Sequence, residues 1–256
     1  MKNLINLYHQ AEDYFFKSIS SKYLHLGDNT NAYMTGIPVD FFNLVNVSNS
    51  NINIDEILNK SKQFFDQNNL PFTVIIPQEY CTPEIDDNLN TMGYHQTEKS
   101  VAMAHNLVDS VQSNATNFPD DSAILSNNHK LDEWILPLIK AFQSTSEIST
   151  QYVNTHTLAL KKKVDLHHFS LYKQEQPIAS ITLSLHNNIA RIDDVGTLPE
   201  FQRKGYATRL ITYALSKAKK LGAKHCFLSA SESGFSVYQK LGFKTLFTYN
   251  IYSKKP

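Results

Sequence analysis

One change of period constrains this chain more than any other feature. Residues 189–198 read as a strand, and from Ala207 onward Ala207, Leu210, Ile211, Ala214, Leu215, Ala218 and Leu221 recur at helical spacing. A strand that passes through a short loop into an amphipathic helix belongs to an α/β chain. The helix is predicted over about 203–221, with Gly222 as its C′ residue, free to adopt positive φ. Gly205 stands at the start, where backbone N–H groups lack intrahelical partners and the helix dipole is positive. Gly205 has no Cβ and Ala207 only a small side chain, so an anion such as a pyrophosphate can approach the amides. Arg203, Lys204 and Arg209 add positive charge nearby. Alone, a Q-x-x-G-x-A run is a weak signal; its place between a strand and the best helix gives it weight.

The surroundings extend the pattern. Strands are predicted at 122–125, 168–172, 177–185 and 189–198, and helices at 131–142, kinked by Pro137, and at 151–163. A strand at 226–228, a short helix at 235–241 closed by Gly242, and a strand region at 243–252 follow. This order is mixed α/β with antiparallel hairpins, not the regular alternation of a doubly wound sheet. The first part of the chain echoes it: an amphipathic first helix, then strand 41–47, helix 54–65, strand 72–76 and helix 84–92. MGYHQTEKSVAMAHNL also lies against LGFKTLFTYNIYSK, each with an apolar residue, Gly and an aromatic before a strand-like run. A duplicated unit is therefore predicted. The polar stretch 110–121 reads as the linker, which gives tandem related domains at 1–117 and 118–256.

Composition excludes several classes. With 24 Lys plus Arg against 24 Asp plus Glu, the formal net charge is zero, so neither nucleic acid nor membrane is an expected partner. The two cysteines, Cys81 and Cys226, form no CxxC pair; reduced thiols and no metal are expected. Asn3, Asn6, His9 and Glu12 interrupt the N-terminus, which does not read as a signal peptide, and no run reaches the ~18 apolar residues that span a bilayer. A cytoplasmic protein, monomer or homodimer, is the expectation.

With these residues in place, residues 120–256 resemble the GNAT superfamily of acyl-CoA N-acyltransferases, most specifically over 193–243. The resemblance implies a mixed, mostly antiparallel central sheet flanked by helices, with a degenerate GNAT-like first half. It implies acetyl-CoA as cosubstrate, its pyrophosphate held by the backbone of Gln202, Arg203, Lys204, Gly205, Tyr206, Ala207 and Thr208. The preceding strand, splayed from its neighbour, would bond the pantetheine arm through Val195, Gly196 and Thr197, and the family's tyrosine matches Tyr238 in YQKLGF. One departure stands out: where many members carry an Asn about seven residues before that Tyr, this chain has Ser231.

The implied reaction is attack of a primary amine, on a small molecule or a peptide, upon a thioester. A lysine-like amine has a pKa near ~10.4, so a base must remove its proton. The backbone N–H near Thr197 is the natural donor to the developing oxyanion, and the resemblance gives Tyr238 the role of general acid. Asp193 and Asp194 are the candidate bases. Being adjacent on a strand, they should point to opposite faces, so that at most one meets substrate. Glu232, His167, His168 and His186 read as surface or packing groups. A catalytically silent acyl-CoA-binding module is the alternative. The first half has SNSNINIDEIL where the loop would stand and is expected not to bind acetyl-CoA.

Overall fold

The computed structural model describes residues 2–27, 30–49, 53–108 and 121–254. The proposed linker at 110–121 lies outside the described residues except for Asp121. After helix α1 (Lys2–Ile19) come β1 (Lys22–Gly27), β2 (Thr30–Met34), β3 (Asn43–Asn46), α2 (Ile54–Asp66), β4 (Thr73–Pro77), α3 (Pro83–Thr91) and β5 (Tyr94–Asn106). The second half runs β6 (Ser122–Ser126), α4 (Leu131–Ala141), α5 (Ser146–Lys161), β7 (Leu166–Lys173), β8 (Gln176–His186) and β9 (Ile189–Thr197). It ends with α6 (Tyr206–Lys220), β10 (His225–Ala230), α7 (Glu232–Lys240) and β11 (Lys244–Lys254).

All eleven strands join one sheet, in the order β1-β2-β3-β4-β11-β5-β10-β9-β8-β7-β6. It is antiparallel except at β3–β4 and β9–β10. The unit β-β-β-α-β-α-β occurs twice, and the two final strands are exchanged. β5 pairs with β10 of the second half, and β11 pairs with β4 of the first. The two exchanged strands, whose sequences match, pair with each other from Lys244↔Ala104 to Lys254↔Tyr94. Each half thus completes the other's sheet, and neither has a closed set of strands without its partner.

Helix α1 ties the halves together. Its Tyr8 and Ala11 pack on Phe227 and Tyr249, while Phe15 and Ile19 join Trp134, Ile135, Leu138 and Tyr152 beneath α4 and α5. The apolar stripe of α6, Leu210, Ile211, Ala214 and Ala218, packs on the opposite face against Ile192, Cys226 and Leu228. Strands β1 and β2 escape the sequence reading because β1 is a short edge strand with no buried residue and β2 is nearly continuous in burial, so neither alternates strongly. The start of α5 is also earlier than predicted, because Thr145 caps it by accepting from the Ile148 N–H. No described helix is long and apolar enough to cross a membrane.

Candidate functional site

Helix α6 begins at Tyr206, later than its apolar period suggests. Arg203 has φ 59° and Gly205 φ 83°, so the chain turns twice through the left-handed region before the helix forms. The first intrahelical bond runs from the Arg209 N–H to the Gly205 carbonyl. The amides of Tyr206, Ala207 and Thr208 therefore point out of the helix end. No side chain caps this end, its first turn carries no acid, and a Cβ built on Gly205 would meet nothing within 4 Å. The space in front of the amides is open. Gln202 holds the loop in place by donating from Nε2 to the Thr197 carbonyl at 3.1 Å. Lys204 donates to the Glu200 carbonyl. A cavity of about 340 Å³ joins Thr197, Arg203, Gly205, Tyr206, Ala207 and Thr208 to Lys240 on α7.

Strands β9 and β10 pair only from Ile189↔His225 to Arg191↔Phe227. Beyond Arg191 they diverge, and β9 continues to Thr197 bonded to β8 alone. The Leu198 N–H donates to Ile178 on the β8 side. Successive N–H groups of a strand alternate between its edges, so the Thr197 N–H faces the gap left by β10. Gly196 is required for a different reason: a Cβ there would lie 2.7 Å from Leu138 Cδ2, because α4 crosses β9 at this point.

A β-bulge interrupts β9 within the diverging stretch. Thr182 pairs with Asp193 and Ser180 with Gly196, leaving Asp194 and Val195 opposite one residue. Asp194 takes φ 53°, and the bulge re-aims its side chain. The expectation that the two acids face opposite sides fails for this reason: both line one cavity of about 290 Å³, on the side covered by α1, α4 and α5. Burial raises Asp193 to about 7 despite Arg191, whose Nε lies 3.1 Å from each carboxylate oxygen. Burial likewise raises Asp194 to about 6 against the Thr182 and Tyr152 hydroxyls; Tyr152 donates to Oδ1 at 2.8 Å. Arg191 is itself buried and lies 3.7 Å from Glu12 of α1. Glu12, though burial opposes its charge, is held at about 2 by His9 and Arg191.

Two neutral histidines stand behind Asp194. Asn128 donates from Nδ2 to the Leu166 carbonyl, so its Oδ1 accepts from both the backbone N–H and Nδ1 of His168. His168 Nε2 then accepts from His156 Nδ1 at 2.8 Å. This assigns a bare lone pair to His156 Nε2, which faces Asp194 Oδ2 at 3.9 Å. Neither atom meets strict hydrogen-bond geometry with a partner among the described residues. Burial pushes His156 well below its ordinary range and His168 to about 3. An ionised Asp194 thus confronts another acceptor, whereas a proton on Oδ2 turns a donor toward that lone pair.

The structure brings Thr197, Gln202, Arg203, Gly205, Tyr206, Ala207 and Thr208 together around one cavity, and Asp193 with Asp194 around the other. Strand β9 connects the two. Tyr238 borders neither; it is buried against Phe243 and Gly234, and burial with the nearby Asp193 raises it far above its ordinary range. The Ser231 hydroxyl caps α7 by accepting from the Gly234 N–H. Lys204 projects to solvent, and Val195 packs against the core beneath α6. Sequence reading missed Glu12, Tyr152, His156, Arg191 and Lys240. Tyr152 and His156 stand four residues apart on one helix, which puts them on one face, but nothing in the sequence points that face at β9. Both cysteines are free, and no described cluster of three His, Cys, Asp or Glu could hold a metal.

Comparison with known proteins bears on this geometry. The acetyltransferase (GNAT) family model matches residues 133–243. An uncharacterized N-acetyltransferase, CgeE of Bacillus subtilis (strain 168), is 35% identical over 80 residues, which is 30% of this chain and 31% of that protein. The match thus spans about a third of the relative's length. A GCN5-related N-acetyltransferase from Kribbella flavida superposes with a TM-score of 0.68 at 14% identity, covering 97% of this chain and 94% of that one. A tandem GNAT protein from the clavulanic acid biosynthesis pathway gives 0.62 at 11% identity, covering 89% and 79%. At such identities the likeness is one of fold.

Proposed function

Because residues 133–243 match the acetyltransferase (GNAT) family model, we propose that this protein transfers an acetyl group from acetyl-CoA to a primary amine. The observation that carries the proposal is β9 itself: one strand links an open cradle of amides at Gly205 to a buried acid pair. The cradle fits a diphosphate, since it combines outward amides, empty space before Gly205 and the cations Arg203 and Lys240. Acetyl-CoA, when bound, supplies a thioester whose C–S bond breaks as the C–N bond forms.

The chain's own groups handle the protons. Asp193 is engaged by Arg191 through both oxygens, so Asp194, with Oδ2 unpaired, is the better base. A proton accepted there meets the His156 lone pair. The Thr197 N–H, facing the gap, is placed to donate to the thioester oxygen. Tyr238 keeps its proton through the working pH range; its role as donor to the leaving sulfur rests on the family resemblance, because the side chain borders neither cavity. The first half, 1–117, contributes α1 and the wall of the acid cavity and does not bind acetyl-CoA.

The test is the pH dependence of kcat/KM, read from release of CoA thiol. The acid pair should give a rising limb with apparent pKa values between about 6 and about 7, separate from that of the amine near ~10. Asp194→Asn should remove that limb and lower kcat/KM by about 10²–10⁴, with acetyl-CoA affinity intact. Loss of acetyl-CoA binding along with turnover would instead mean that Asp194 is structural. Tight binding without turnover on any amine would leave a silent acyl-CoA-binding module. The same shifts set a stability trend. The folded state holds protons that the unfolded chain gives up near ~3.9, so this contribution is full below that pH and is lost as pH rises through about 7.

A further inference from the structure

The acid cavity narrows the acceptor. Its volume is about 290 Å³. An apolar cavity of about 150 Å³ holds one benzene, so there is room for a ring and a short chain. Ten of its eighteen lining residues are apolar, Phe15, Phe16, Phe42, Ile135, Leu138 and Ile139 among them, and its only charged lining groups among the described residues are Asp193 and Asp194. Phe42 and Tyr152 lie with centroids 5.0 Å apart, and the next ring, Phe41, stands 4.5 Å from Phe42. Phe41 and Phe142 are 58% and 59% exposed while lining the same cavity, which puts large apolar side chains at its mouth.

Resting on the acetyl-transfer reading, we propose that the acceptor is a small, singly charged primary amine on an arylalkyl body. The amine meets Asp193 and Asp194 and the ring fills the apolar wall. Three alternatives lack partners. An amino acid would bury a carboxylate with no lysine or arginine lining the cavity. A polyamine or an aminoglycoside would bring further cationic charges into a cavity whose remaining polar groups, the hydroxyls of Ser20, Tyr33, Thr35, Ser144, Ser149 and Tyr152, carry no charge to pair with them. A long acyl tail of the donor would lie beside the buried Asp194 and leave that carboxylate without a cation, since Arg191 engages only Asp193. Four of the aromatic wall residues, Phe15, Phe16, Phe41 and Phe42, come from the first half of the chain. That half therefore sets the identity of the amine, even though it holds no cradle for the cofactor.

The experiment measures thiol release by the full-length protein at fixed acetyl-CoA. Its arms are 2-phenylethylamine, 3-phenylpropylamine, spermidine, lysine, kanamycin and a lysine-bearing peptide, with octanoyl-CoA as a second donor. Burial of one ring should favour the arylalkylamines in kcat/KM by about 100-fold. Phe42→Ala should raise KM for 2-phenylethylamine by about tenfold, with kcat little changed. Equal or better kcat/KM for spermidine, lysine, kanamycin or the peptide overturns the proposal and leaves acetyl transfer standing. A preference for octanoyl-CoA does the same. If no amine turns over, acetyl transfer itself falls, and calorimetry decides the cavity. Saturable binding of 2-phenylethylamine to CoA-loaded protein, weakened in Phe42→Ala, supports the proposal, and no binding overturns it.

Discussion

Helices α2 and α6 hold the same place in the repeated unit, each following the third strand and crossing to the fourth, yet their first turns are opposites. At α2 the Asn53 side chain accepts from the Glu56 N–H, and Asp55 and Glu56 add negative charge. At α6 the cap is Gly205 at φ 83°, no side chain closes the end, and Arg203 and Lys204 precede it. A helix N-terminus is electropositive in both cases. On the proposed reading of α6, an anion site needs more than the dipole: the amides must be left unsatisfied by the chain's own oxygens and unopposed by its own carboxylates.

The comparison can be broken most severely by giving α6 the character of α2. Gly205→Asp places a carboxylate at the cap and a Cβ at φ 83°, where an L side chain is strained. We expect acetyl-CoA affinity to fall by about 100-fold, roughly 2.7 kcal/mol, by isothermal titration. Gly205→Ala, which adds only the strain, should lose less. If the two variants bind as wild type does, the amides at α6 are not the cradle. A milder break is Lys240→Ala on α7. It removes one cation from the rim of the cavity and leaves the amides untouched. Affinity should fall by about three- to tenfold, less at high salt. An effect independent of salt would assign Lys240 to packing.

Much of this contrast was legible in the sequence. The period of α6, Gly205 and the basic residues before it mark the proposed cradle directly, because backbone need and charge are written in single residues. The matching ends of β5 and β11 disclosed the duplication. What stayed hidden depends on contacts distant in the chain. Nothing in MGYHQTEKSVAMAHNL says that its strand pairs with the other half. The bulge at Asp194 defeated the alternation rule, since an extra residue leaves no mark on a hydrophobic pattern. Nothing in the sequence links Glu12 to Arg191 until the fold buries them together. His156 gained meaning only once Asn128 and His168 fixed its tautomer.

The smallest expected effect sharpens the comparison from the other side. Asn53→Ala removes the cap of α2 and leaves the Glu56 N–H without its side-chain acceptor. Helix caps of this kind are worth about 1 kcal/mol, so the urea midpoint should fall modestly. Acetyl-CoA affinity should not change, and titration should still give one site per chain, because Asp55 and Glu56 keep the exposed amides hostile to phosphate. The two readouts separate two accounts of the first half. If uncapping changes stability alone, α2 is a structural helix whose charge has diverged from that of α6. If a second acetyl-CoA site appears, the Asn53 side chain was all that closed a cradle still present in the backbone, and the acids of its first turn count for little.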